Sequence, residues 1–129
     1  MAPYNRRMKT GLILVAHGAR DPRWAEPFER LRTLVATRAP GTPVVLAYLE
    51  MMQPDLPGAA DALVAQGCDA LRVVPVFLGQ GGHVRDDLPR LADVVRARHP
   101  TASVELRQAV GEDAAVLAAI AGVALVGLA

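Results

Sequence analysis

The 129-residue sequence has a single cysteine, Cys68, and a single lysine, Lys9. One cysteine rules out an intrachain disulfide. It also excludes any zinc or iron–sulfur site built only from cysteines of one chain. A reducing cytoplasm is the compartment that fits such usage. Excess charge is missing too. The formal net charge is +1, from 14 basic and 13 acidic side chains, so there is no broad positive field to hold a polyanion and no nucleic-acid partner is expected. Long apolar runs are also absent. The start, Met1 to Thr10, is polar and basic, and the apolar run that follows, Gly11 to Ala16, is too short for a signal segment. The stretch Ala114 to Ala129 carries no charge over 16 residues. It still falls short of the ~20 needed to span a bilayer, so no membrane partner is expected. A helix buried in the core or packed on a partner is the expectation there. No heptad, collagen repeat or low-complexity tract is present.

What remains suits one domain of ordinary size. Residues 1–10 read as an N-terminal extension and residues 11–129 as a single domain. Four short apolar runs alternate with helical patterns. Gly11–Ala16, Val44–Tyr48 and Ala70–Phe77 read as strands covered on both faces, and Ser103–Arg107 as a more polar edge strand. Between them, Pro22 to Arg38 places Trp24, Phe28, Leu31, Leu34 and Val35 at helical spacing, with Asp21 as N-cap. Further helices are expected from Leu56 to Gln66, from Val84 to Arg98, and from about Glu112 onward. The alternation predicts an α/β fold: a single three-layer domain with a four-stranded, mainly parallel sheet and helices on both faces.

Ligands of open α/β sheets bind beyond the carboxyl ends of the strands. The first strand is followed by His17, the second by Glu50, the third by His83, at successive intervals of 33 residues. Two imidazoles and a carboxylate can hold a borderline divalent ion such as Co²⁺, Ni²⁺, Fe²⁺ or Zn²⁺. Three protein ligands leave coordination positions open, which favours transient binding or catalysis over a structural site. Each residue alone also has a plain explanation: a structural turn at His17-Gly18, a solvated Glu50, a flexible Gly79–Gly82 loop. Convergence on one sheet edge is what points to a site. His99, before Pro100, reads as a helix-end cap or surface residue. Of the arginines, Arg20, Arg23 and Arg85 stand beside the two histidines and suit an anionic ligand with several carboxylates. Arg30, Arg38 and Arg96 fall on helix faces and need only a compositional explanation. A His-Gly turn after a strand also occurs in histidine phosphatases, but those have Arg before the histidine where this chain has Ala16.

Three motifs together, His17-Gly-Ala-Arg-Asp-Pro-Arg23, Ala47-Tyr-Leu-Glu50 with Pro54 and Leu56, and Pro75-Val-Phe-Leu-Gly-Gln-Gly-Gly-His83 with Asp87-Leu-Pro89, resemble the small, single-domain sirohydrochlorin cobaltochelatases of the class II chelatase family. The likeness covers roughly residues 11 to 120. Ala19 stands where the family usually has Ser. The resemblance implies ATP-independent insertion of a divalent metal, Co²⁺ foremost, into sirohydrochlorin in tetrapyrrole or cobalamin biosynthesis. Iron or nickel chelation and a non-catalytic metal or tetrapyrrole carrier are the alternatives. It further implies metal binding by His17 and His83, a carboxylate role for Glu50 in metal binding or proton acceptance, no nucleotide, and a homodimer, since related chelatases enclose one cleft with two similar halves.

Overall fold

A computed structural model of the chain describes residues 8–128. Most of the proposed N-terminal extension, residues 1–7, lies outside the described residues, and Thr10 already belongs to the first strand. The elements run β1 (Thr10–Ala16), α1 (Glu26–Arg38), β2 (Val44–Tyr48), α2 (Leu56–Ala65), β3 (Ala70–Pro75), α3 (Gly82–Arg98), β4 (Ser103–Leu106) and α4 (Ala114–Leu125). Short 3₁₀ turns at Pro22–Ala25 and Val110–Glu112 precede α1 and α4.

The four strands form one parallel sheet in the order β2-β1-β3-β4. Leaving β1, the chain first winds outward to β2 and then returns past β1 to β3. The topological switch point therefore lies between β1 and β3, the place at the carboxyl edge where ligands of open α/β sheets bind. Side chains alternate across the pleat. Ile13, Val15, Leu71 and Val73 pack with Leu56, Ala60 and Leu63 of α2 and Leu88 and Val95 of α3. On the opposite face Leu14, Ala16, Leu46 and Tyr48 pack under Trp24, Phe28, Leu31 and Val35.

Element boundaries differ from the sequence expectation where a local bond intervenes. Asp21 caps the 3₁₀ turn, accepting the Arg23 N–H at 2.9 Å, so the regular helix begins only at Glu26. β3 stops at Pro75 and the chain turns away at Phe77, whose carbonyl accepts the Gly111 N–H at 2.9 Å. α4 begins at Ala114 rather than near Glu112, because Asp113 caps it by accepting the Ala115 N–H at 2.8 Å. Of the two alternatives expected for the uncharged tail, burial in the core is the one the structure excludes. The uncharged last helix is not buried in its own chain: no residue of α4 is buried, and only Val116 is even half-buried. The edge of the sheet nearest its start carries an ion-paired row, Arg72 to Glu105 at 2.7 Å and Arg107 to Glu105 at 3.4 Å, which is costly for an apolar helix to cover.

Candidate metal centre

His17 is the first residue beyond β1, at the switch point, and is exposed. Its ring lies against Phe77, with centroids 4.3 Å apart and planes tilted by 34°. A residue that has just left β3 thus supports a side chain that has just left β1. Glu50 arrives by a different route. Hydrogen bonding between β1 and β2 continues past both strands: Leu49 N–H donates to the Ala16 carbonyl at 3.1 Å and Glu50 N–H to the His17 carbonyl at 3.0 Å. Gly18 makes this approach feasible. Its φ is +97°, and a Cβ there would stand 1.8 Å from the Glu50 carbonyl oxygen, so any side chain would force the two loops apart. Just beyond, Met51 holds a positive φ of 64° without being glycine and stays exposed, the kind of strained position found where a loop is fixed by its surroundings. The Met52 N–H donates to the Glu50 carbonyl at 2.8 Å and closes the turn.

His83 is the second residue of α3 and is exposed. Gly81 is the helix N-cap, its carbonyl accepting the Arg85 N–H at 3.1 Å. The loop leading to it is held from behind, because a Cβ on Gly111 would sit 2.0 Å from the Leu78 carbonyl oxygen. The three expected residues thus share the carboxyl rim of β1, β2 and β3, with the backbones of His17 and Glu50 directly joined. They do not form a closed ligand cage: among the described residues no group of three or more His, Cys, Asp or Glu side chains is gathered to hold a metal ion.

The arginines divide on inspection. Arg20 lines an open hollow of about 730 Å³ with Ala19, Glu26, Arg30, Tyr48 and Met51. Arg23 lies outside that lining; its guanidinium is engaged by Asp21, with Nη2 to Oδ2 at 2.8 Å. That contact lowers the Asp21 carboxyl below its ordinary value and raises Arg23. Arg85 lines a smaller pocket of about 190 Å³ with Gln80, Arg107, Gln108 and Glu112. Arg107 escaped the sequence reading, although the signal was available: it is the first residue past β4, as His17 is the first past β1. His99 is the C-cap of α3, and its Nε2 meets Asp61 Oδ1 at 2.6 Å, a structural tie away from the rim.

Comparison with known proteins gives a consistent result. The family model described as CbiX matches residues 11–123. A sirohydrochlorin cobaltochelatase of Methanothermobacter thermautotrophicus is 33% identical over 87 residues, covering 67% of this chain and 60% of that protein. A protein of the same name from Methanocaldococcus jannaschii is 35% identical over 88 residues, 68% of this chain and 62% of the relative. The match thus spans less than two thirds of the length of these relatives. Among solved structures, a CbiX protein of cobalamin (vitamin B12) biosynthesis from Marinobacter aquaeolei VT8 superposes with a TM-score of 0.79 at 31% identity, over 89% of this chain and 93% of that one. The sirohydrochlorin chelatase SirB from Bacillus subtilis subspecies spizizenii, in complex with cobalt, superposes at 0.73 with 25% identity, over 89% of this chain and 49% of the longer one.

Proposed function

Because the chain belongs to the CbiX family, we propose that it is a chelatase that inserts a divalent metal ion, Co²⁺ foremost, into sirohydrochlorin without ATP, in the cytoplasm and in service of tetrapyrrole or cobalamin synthesis. The observation that carries this reading is the rim itself: His17 and His83 flank the switch point between β1 and β3, and Glu50 is joined to His17 through its backbone. Metalation removes two pyrrole N–H protons as the dication enters, so the exchange is neutral in charge. His17 and His83 bind the incoming ion through neutral imidazole nitrogens, loosely enough to release it. Glu50, or a histidine freed as the ion leaves it, accepts one pyrrole proton as general base, and the second passes to water. Arg20 and Arg85, each beside a hollow of the rim, bind carboxylates of the macrocycle and hold it over the ion. Arg23 contributes less, because a ligand must first displace Asp21 from it.

Iron is the second metal with a specific observation behind it, since SirB from Bacillus subtilis has been solved with Fe³⁺ as well as with cobalt. A homodimer belongs to the same reading. The chain aligns with just under half of SirB, so one copy supplies one half of such a molecule and a second copy supplies the other. The test follows sirohydrochlorin absorbance on addition of Co²⁺ to purified protein. His17→Ala and His83→Ala are expected to abolish accelerated metalation, and Glu50→Gln to slow it ~100-fold or more. Wild-type rates in both histidine variants overturn the assignment. Stoichiometric binding without acceleration in the parent protein identifies a carrier instead. Competition among Co²⁺, Fe²⁺ and Ni²⁺ ranks the metals.

A further inference from the structure

We propose that Arg107, together with Arg85, forms a subsite that takes one carboxylate side arm of the macrocycle and so selects heavily carboxylated substrates. This deepens the chelatase reading above and rests on it. The two arginines come from different elements. Arg85 lies in the first turn of α3, and Arg107 is the first residue past β4. The Arg107 N–H donates to the Val73 carbonyl at 2.9 Å, so the ladder between β3 and β4 runs one residue past β4 and sets Arg107 at the carboxyl edge. Both side chains line the pocket of about 190 Å³, with the amides of Gln80 and Gln108 and the carboxylate of Glu112. Pro75 and Leu88, both buried, form the apolar part of its wall.

Size and charge define the ligand. Sites for whole drug-sized molecules start at ~300 Å³, so this pocket takes one end of a molecule, such as a carboxylate and the methylene behind it. Two guanidinium groups against one carboxylate leave a single excess positive charge, the complement of one acid group. Planar guanidinium forks and amide N–H groups match a carboxylate in geometry as well as in charge. Neither arginine is firmly held elsewhere. Among the described residues Arg85 pairs with no carboxylate. Arg107 reaches Glu105 only at 3.4 Å, whereas Arg72 holds the other oxygen of that carboxylate at 2.7 Å. A long pair between side chains that are each about half-exposed contributes little to the fold.

Position fits a side arm rather than the ring itself. Arg85 is two residues from His83, so the two point to opposite sides of α3. The subsite therefore stands beside the proposed metal ligands and not among them. A tetrapyrrole carries its acids on its perimeter, away from the central nitrogens, and a perimeter arm is what reaches a subsite displaced in this way. The same arrangement supplies selectivity. A macrocycle with an alkyl group in place of that acid would leave the excess positive charge without a partner.

Metal-free uroporphyrin, a tetrapyrrole with acid arms, serves as the probe, its binding to the full chain followed by fluorescence quenching. Arg107→Gln is expected to weaken binding ~10-fold or more. Arg107→Lys should fall between, because an ammonium keeps the charge and loses the fork. Glu112→Gln should act in the opposite direction and tighten binding, a gain that general damage to the fold would not produce. Arg38→Gln removes the same charge from the last turn of α1 and should stay within ~2-fold of wild type, since exposed charges far from the ligand are screened by salt. In Co²⁺ insertion into sirohydrochlorin, Arg107→Gln should raise KM with kcat little changed. Wild-type affinity and KM in Arg107→Gln overturn the subsite. So does an equal loss in Arg38→Gln, which marks an effect of net charge alone. Calorimetric binding of free acetate that is lost in Arg107→Gln while uroporphyrin affinity holds marks a pocket for a small free acid, and also overturns it. Wild type that binds uroporphyrin but inserts no metal overturns the chelatase reading alone, because the variants still test the subsite by binding. Wild type that binds no uroporphyrin overturns the subsite.

Discussion

α2 buries Leu56, Pro57, Ala59, Ala60 and Leu63, whereas α4, with no polar residue at all, buries none of its twelve. The two helices have similar compositions of Ala, Leu, Val and Gly. α2 differs by one polar position, Asp61, turned to the outside where it meets Arg98 and His99. That single residue marks a helix with one wet side and one dry side. α4 has no such mark, so its composition states that it must leave water without stating what covers it. The apolar side of α2 finds β1, β2 and α3 inside its own chain. For α4 the nearest surface mixes Arg72, Arg107 and Glu112 with Val74, Leu106 and Val110, and the helix stays exposed beside it.

The comparison breaks first on core truncation. Leu63 is fully buried between α2 and the sheet, so Leu63→Ala should cost roughly 2–5 kcal/mol. Leu117→Ala removes the same atoms from an exposed position and should cost under about 0.5 kcal/mol when measured on protein diluted to single chains. Urea unfolding of both variants at low concentration reads the difference directly. Equal losses would place α4 in a core of its own chain and undo the contrast.

The same contrast marks what could be read from residues alone. The apolar runs of β1 and β2 and the starts of α2 and α4 are local signals, set by neighbours within a turn, and they emerge within a residue or two of expectation. The placement of His17, Glu50 and His83 beyond the ends of β1, β2 and β3 was legible because strand ends are local too. The pairing of His17 with Glu50 was not, since it depends on hydrogen bonds that outrun the strands and on the space left by Gly18. Arg107 was legible in principle, by asking of β4 what was asked of the other strands. The engagement of Arg23 by Asp21 was hidden in a bond two residues long that could equally have faced solvent. Hardest of all was α4, because a composition holds no information on whether its partner lies in the same molecule.

A smaller effect sharpens the comparison at the helix starts. Both helices are capped by aspartate: Asp55 accepts the Gly58 N–H at 2.9 Å and Asp113 the Ala115 N–H at 2.8 Å. Removing a cap costs about 1 kcal/mol. In Asp55→Ala that loss should fall on global stability, because α2 unfolds with the core. In Asp113→Ala it should appear as faster amide exchange in the first turns of α4 with an unchanged midpoint for the core, because a helix packed on nothing in its chain opens alone. A shared midpoint shift in the two diluted variants would mean that α4 and the core unfold as one unit.

The smallest effect uses acid. The Asp61 carboxyl is held below its ordinary value, chiefly by the hydrogen bond with His99, against the opposing effect of burial, with Arg98 adding to the lowering. A carboxylate whose folded value lies below its unfolded one stabilises the fold fully above the ordinary value of ~3.9, and that contribution is lost as pH falls through the lower, folded value. Since Asp61 is nearly half-exposed, solvent screening keeps the contribution under about 1 kcal/mol. Asp61→Asn should therefore lower the thermal midpoint slightly near neutral pH. The gap to wild type should close as the solution is acidified through the carboxylate range. A gap that stays constant in acid would assign the loss to packing between α2 and the end of α3 rather than to charge. No residue within α4 titrates, so acid should loosen the attachment of α2 and leave contacts between the α4 side chains themselves unchanged. That separates a helix anchored partly by charge from one that relies on apolar cover alone.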